Sequence, residues 1–326
     1  MIGLTLCSKP AVKPKIWKVF YMKRLFSLLL CAVMLLGMTA CGSTHNANPA
    51  ETAEHATTPA TEPAPTAAPT APAAVMGEAV LVDHDNAVFS VIRAENSDHA
   101  GMQIHVQCVN KSDRALMFAW DMVSVCGYMY DPMWAVEVAA GKTANSVIDL
   151  DTYALEQMDI KAVDEITFTL RIYDSENWME APMVQEVHTI YPTGLNADTL
   201  VLPERIPRDG QTVIAEDENI RFVIENAGAQ DSAYTVNVYM ENKTDKNLMY
   251  SWDLVSVDGI MVDPFWAVSV AAGKRACSEI SFRRSDLEEN GITDISAIEF
   301  RLIVSDYDNW DTPNLLEETY TYNPQQ

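Results

Sequence analysis

Two short acidic runs carry the residue types in this chain best suited to chemistry. They are Asp174-Ser175-Glu176-Asn177-Trp178 and Asp306-Tyr307-Asp308-Asn309-Trp310. Carboxylates clustered in this way are hard oxygen donors of the kind that hold Ca²⁺, which makes Asp174, Glu176, Asp306 and Asp308 the candidate metal ligands. Neither run has the glycine and distal glutamate of an EF-hand loop, so ligand type is all that supports a metal there. Trp178 and Trp310 offer flat faces on which a sugar ring could stack. The competing expectation is that they fill a core, as large aromatic side chains do in sandwich folds. A pair of acids could also cleave a glycosidic bond, but only their separation in space would define such a pair.

Other chemistries find less support. All six histidines precede residue 190 and none has His-x-x-x-His spacing, which argues against zinc. There is no G-x-S-x-G elbow and no glycine-rich strand–helix turn for a phosphate. A formal charge of −24 excludes nucleic acid as a partner, because phosphates select Lys and Arg. No catalytic residue and no cofactor is predicted, and the chain reads as non-enzymatic.

The two acidic runs are equivalent parts of a repeat. Asn110–Lys142 returns 132 residues later as Asn242–Lys274, with 22 of 33 positions identical. Duplication sorts residues: one kept in both copies serves the shared fold or a site present twice. Trp120/Trp252, Trp134/Trp266 and Trp178/Trp310 are kept. The first two pairs sit in apolar strands and are expected in the core, whereas the third falls on a loop. Cys108, Cys126 and Cys277 face Met240, Asp258 and Asn145, so no disulfide is common to both copies and free thiols are expected, with Cys108–Cys126 the alternative.

Period-two alternation marks strands at Met102–Gln107 and Tyr234–Tyr239, and again at Glu165–Ile172 and Glu299–Val304. Asn110–Asp113 and Asn242–Asp245 carry residues that bond their own backbone and read as turns. A short helix is predicted in each copy, over Asp151–Met158 and from a Ser285 N-cap to Gly291. The expected fold is all-β, with two tandem immunoglobulin-like antiparallel β-sandwiches, each with one short helix, after a disordered stalk. The copies span 76–193 and 211–326, joined by a linker over 194–210 that contains Pro203 and Pro207.

Ahead of the repeat, residues 1–41 read as a signal peptide whose true start is Met22. Lys23-Arg24 precedes an apolar run from Leu25 to Leu36 that is too short for a membrane span. Met38-Thr39-Ala40-Cys41 resembles a bacterial lipobox, with Met where Leu is usual. The resemblance implies cleavage before Cys41 and a lipid on its sulfur, anchoring the chain to the outer face of the cell membrane. Residues 42–75, rich in Ala, Thr and Pro, bury too little to order themselves and form the stalk.

The repeat string L-M-x-x-W-D-x-V-S-V-x-G-x-M-x-D-P-x-W-A, followed by A-A-G-K and D-x-x-N-W, resembles repeat modules of unknown activity in lipoproteins of gut Firmicutes. Those modules are similar to immunoglobulin-like domains of Gram-positive surface lipoproteins. The resemblance implies an extracytoplasmic, cell-surface location and the sandwich fold. An extracellular protein or a wall polymer is the expected partner, engaged twice for avidity.

Overall fold

The computed structural model describes residues 74–97, 101–202 and 204–324. The predicted signal peptide, the lipobox with Cys41 and the stalk up to residue 73 lie outside them.

Strands form where the sequence alternates. β1 (Ala74–Met76) and β2 (Ala79–Asp83) pair with β3 (Ala87–Ser97), β3 with β4 (Gly101–Asn110), and β4 with β8 (Thr143–Leu150). Along β4 the residues alternate between half-exposed and buried, with Met102, Ile104, Val106 and Cys108 inward. That is the signature of a strand with one face on a core. The opposing sheet runs β10 (Val184–Ile190), β9 (Ile166–Asp174), β5 (Leu116–Val125), with the short β6 (Tyr128–Met129) and β7 (Ala135–Val138) beyond β5. Phe89, Val91 and Ile104 of the first sheet meet Phe118, Trp120 and Phe168 of the second in one buried cluster. The fold is therefore an all-β sandwich of antiparallel sheets. In the immunoglobulin constant order the second strand neighbours the fifth; here β3 lies directly beside β4 instead. β1 also begins at Ala74, inside the range expected to be stalk.

The same succession recurs. β11 (Thr212–Glu216), β12 (Ile220–Ala229), β13 (Ala233–Asn242) and β17 (Arg275–Arg283) pair in that order. β19 (Leu316–Tyr322), β18 (Ile298–Asp306) and β14 (Leu248–Val257) form the opposing sheet, with β15 (Ile260–Met261) and β16 (Ala267–Val270) beyond β14. A second cluster of Phe222, Val238, Tyr250, Trp252 and Phe300 fills the space between them. Trp120, Trp134, Trp252 and Trp266 are buried as expected, although Trp134 and Trp266 stand one residue ahead of β7 and β16 rather than within a strand. Trp120 stacks on Phe168 and Trp252 on Phe300, each with ring centroids 3.8 Å apart. Trp134 and Trp266 donate their indole N–H to Ser146 Oγ (3.1 Å) and Ser278 Oγ (3.0 Å).

Two short helices complete the elements. Helix α1 (Thr152–Gln157) is capped by Asp151, whose Oδ1 accepts from Ala154 N at 2.9 Å, as its sequence implies. Helix α2 (Arg284–Glu289) corrects an expectation, because its N-cap is Arg283 without a side-chain bond, and Ser285 Oγ donates to Asp286 instead. β17 runs directly into this helix, and Arg284 N, bonded to Ser232 O at 3.0 Å, fixes its start two residues early.

The segment expected to be a linker is seated between the two cores. Leu202 packs on the first cluster. Arg205 lies 3.9 Å above the Tyr239 ring centroid and pairs with Glu225 at 2.6 Å, both side chains largely out of water. At this joint the β6 hairpin bonds to the edge of β17. Tyr128 stands opposite Arg275 in a single parallel register pair, and Arg275 N donates to Gly127 O at 3.0 Å. Tyr128 is buried between the Arg275 guanidinium, 4.3 Å from its ring centroid, and the Tyr239 ring. Lys274 Nζ pairs with Glu165 at 2.8 Å, and Ala271 N approaches Met129 Sδ at 3.3 Å. Val223 and Tyr239, on strands of the second copy, are thereby part of the first buried cluster.

Candidate functional site

Each acidic loop starts where a strand ends. Asp174 closes β9 opposite Leu116, and Asp306 closes β18 opposite Leu248. Both side chains fold back on the residues that follow, as Asp does in a turn. Asp174 Oδ1 accepts from Glu176 N (2.9 Å) and Asn177 N (3.2 Å); Oδ2 accepts from Asn177 Nδ2 (3.1 Å) and Arg114 Nη1 (3.0 Å). Asp306 Oδ1 accepts from Asp308 N and Asn309 N, both at 3.0 Å, while Oδ2 pairs with Lys246 Nζ at 3.1 Å. Asp308 Oδ2 accepts from Asn247 Nδ2 at 2.9 Å, and Glu176 is exposed. The candidate calcium ligands Asp174 and Asp306 thus have both oxygens engaged by donors of their own loop and a neighbouring cation. Among the described residues no group of three or more His, Cys, Asp or Glu side chains is placed to hold a metal ion.

This wiring sets the acidity of the loops. The Asn177 amide and then the Arg114 guanidinium draw the Asp174 carboxyl from 3.8 down to about 2, against opposing desolvation. Lys246 is the main cause of the lowered value at Asp306. A carboxyl whose pKa is depressed on folding stabilises the fold fully above its unfolded pKa and loses that contribution as pH falls through its folded one. Between pH 4 and 2 the wild-type chain should therefore lose more stability than Asp174→Asn, which keeps the turn acceptor but does not titrate. Urea midpoints measured across that range check this. Parallel losses in the two proteins would contradict it.

The paired tryptophans differ between copies. Trp178 is half-buried, whereas Trp310 is 48% exposed. The remaining groups singled out in the sequence are not brought together with these loops. His105 Nε2 lies 2.8 Å from Glu95 and 3.1 Å from Arg93 on the outer face of the first sheet. Its counterpart Asn237 bonds Asn226 at 2.7 Å, so this position serves sheet-surface hydrogen bonding in both copies. Cys108, Cys126 and Cys277 are free thiols, and burial pushes Cys108 and Cys277 up to about 12, which leaves little thiolate at neutral pH.

Sequence reasoning missed a second site candidate, the outer edge of the second copy. Leu254, Ile260, Met261 and Phe265 follow one another along β14, β15 and the loop to β16, and all four are exposed. Leu254 and Phe265 hold left-handed backbone at φ 49° and 54°, as Met122 and Met133 do at 49° and 51° in the first copy. The amides of Met133 and Phe265 bond Asp131 Oδ1 (2.8 Å) and Asp263 Oδ1 (2.9 Å), which offsets part of the strain. The signal in the sequence is the pair of substitutions Tyr128 to Ile260 and Cys126 to Asp258 between copies. No protein-family model and no curated protein matches this chain.

Proposed function

We propose that the chain is a membrane-anchored extracytoplasmic lipoprotein whose two tandem sandwich copies act as a non-enzymatic binding or spacer module. The lipid on Cys41 would hold it to the outer face of the cell membrane, with residues 42–73 as stalk. The copy boundaries 76–193 and 211–326, the immunoglobulin-like kinship and the relation to lipoproteins of gut Firmicutes belong to this reading. One observation carries the non-enzymatic part: Asp174 and Asp306, the best-placed acids, spend both oxygens on turn and ion-pair structure. Cys41→Ala tests the anchoring. The wild-type chain should fractionate with membranes and carry a lipid detectable by mass spectrometry, and the variant should be found in the soluble exported fraction. A wild-type chain that is soluble and unlipidated would refute the reading.

A second reading, carbohydrate binding or glycan processing at the acidic loops, is favoured by the exposure of Trp310 beside Asp308. A glycan that stacks there raises the melting temperature, since a ligand at about a hundredfold excess over Kd stabilises the native state by roughly 2.7 kcal/mol. That shift should vanish in Trp310→Ala and persist in Trp178→Ala. No shift with any glycan or wall fragment would remove this second reading.

A further inference from the structure

We propose that residues 205–211 form a strap that latches the two copies together, with Asp159 as the positioning residue that anchors the latch in the first copy. The two arginines of the strap grip in crossed order. Arg205, the earlier one, reaches forward to the second copy, where it lies over the Tyr239 ring and pairs with Glu225. Arg208, the later one, reaches back to the first copy. Its Nη2 donates to Gln157 O at 3.2 Å and pairs with Asp159 at 3.0 Å, so a cation closes the C-terminal end of helix α1. Gln211 buckles the arms together, because its Oε1 accepts from Arg205 Nη2 at 2.7 Å and from Arg208 N at 3.3 Å.

The backbone at Asp159 points the same way. It is left-handed at φ 58°, in the turn where the second copy has Gly291 at φ 72°. Glycine takes that conformation without the steric cost that a Cβ brings. The first copy carries a carboxylate there instead, and Arg208 meets it; an unfavourable backbone kept beside a specific partner points to a role for the side chain. The two grips differ in exposure. The Arg205 and Glu225 side chains are 9% and 12% exposed, those of Arg208 and Asp159 41% and 46%. Salt screens an exposed pair far more than a buried one, so Arg205 is a fixed pin and Arg208 a releasable latch. The use of such a device rests on the binding-module reading. Two linked sites gain most avidity when the link matches the span they must bridge. Latched, the copies present one span. Unlatched, the first copy is held by its hairpin, Glu165 and Leu202 alone, and the span adjusts to the partner.

Hydrogen exchange of the intact chain, read amide by amide by NMR, tests the latch. The amides of Arg208 and Gln211 are the reporters, because their bonds lie inside the strap, Gln211 N donating to Arg208 O at 3.3 Å. Asp159→Gly removes the anchor while suiting the left-handed turn. The strands of the first copy should keep their protection, and both reporters should exchange about tenfold faster. Asp159→Asn tolerates the same backbone and isolates the charge. Raising NaCl to about 1 M shortens the screening length to about 3 Å, which should speed the wild-type reporters about threefold; in both variants that response should vanish. Reporters unchanged in Asp159→Gly, or a wild-type salt response no larger than that of Asp159→Asn, overturns the proposal. Loss of protection across β5 and β9 in Asp159→Gly overturns it as well, since Asp159 would then hold the fold of its own copy rather than the strap. No ligand enters the measurement, so failure here is distinguishable from failure of the binding-module reading, which the tests at Cys41 and Trp310 address.

Discussion

Replacing Asn242 by leucine should lower the unfolding free energy by about 3 kcal/mol, and Asn110→Leu should do the same in the first copy. Both side chains are almost completely buried. Asn242 Nδ2 donates to Lys246 O (2.6 Å), Val270 O (2.9 Å) and Ala271 O (3.1 Å), while Oδ1 accepts from the N–H and hydroxyl of Thr244. Asn110 repeats the pattern with Arg114 O (2.7 Å), Val138 O (2.8 Å) and Ser112. One amide thus closes its own turn and fastens it to the end of a strand 28 positions away. Leucine fits the volume but leaves several buried backbone groups without partners, which is where the cost arises. Urea denaturation measures it. A loss under about 1 kcal/mol would mean that water replaces the amide and that the side chain is not the fastener described.

The second large effect concerns the joint. Removing residues 76–193 should destabilise the remaining copy by about 3–5 kcal/mol, because Tyr239 and Val223 lose their cover and each buried side chain of this size contributes roughly 1.5–3 kcal/mol. The sequence alone predicts that deleting either copy leaves the other folded, since each has a full set of strands. The structure makes the cost asymmetric. The second copy gives up a sheet face, whereas the first gives up the cover of its Tyr128 hairpin and the Lys274 partner of its buried Glu165. Tyr239→Gln, which installs the residue that the first copy carries at the equivalent Gln107, isolates the effect without a deletion. It removes the ring that meets Tyr128 edge to face and lies under Arg205, and should split thermal unfolding of the intact chain into two resolved steps. An unchanged single transition would show that the joint carries little of the coupling.

How much of this was legible in the sequence follows from what repeats and what does not. Strands, tight turns and the buried tryptophans were readable because period-two alternation and burial are local and were written twice. The Asp151 cap was readable for the same local reason. The fastening role of Asn110 was only half visible. Its spacing shows a turn, but its bond to Val138 depends on a strand return that no local pattern records. Ser285 looked like a cap because of its type; β17 continuing into the helix moved the cap to Arg283. β1 was hidden in an Ala- and Pro-rich composition, because its pairing of Ala74 with Glu95 is made by backbone groups. The joint was missed because its residues, Tyr239, Val223, Cys277 and Arg275, are those in which the copies differ, and a reading built on identities passes over them. The acidic loops were found from their residue types, yet only geometry shows their carboxylates turned inward onto their own turns.

The most direct test of the account is the contrast between its two hairpins, read by mild peroxide oxidation of the native chain and mass spectrometry of methionine-containing peptides. Exposed thioethers oxidise readily and covered ones do not. With Met129 under the β17 edge and Met261 open to solvent, Met261 should convert to sulfoxide at least about fivefold faster than Met129, with exposed Met133 as the fast reference. Equal rates at Met129 and Met261 would mean that the first hairpin is not docked on the second copy. The asymmetry on which the joint depends would then be absent.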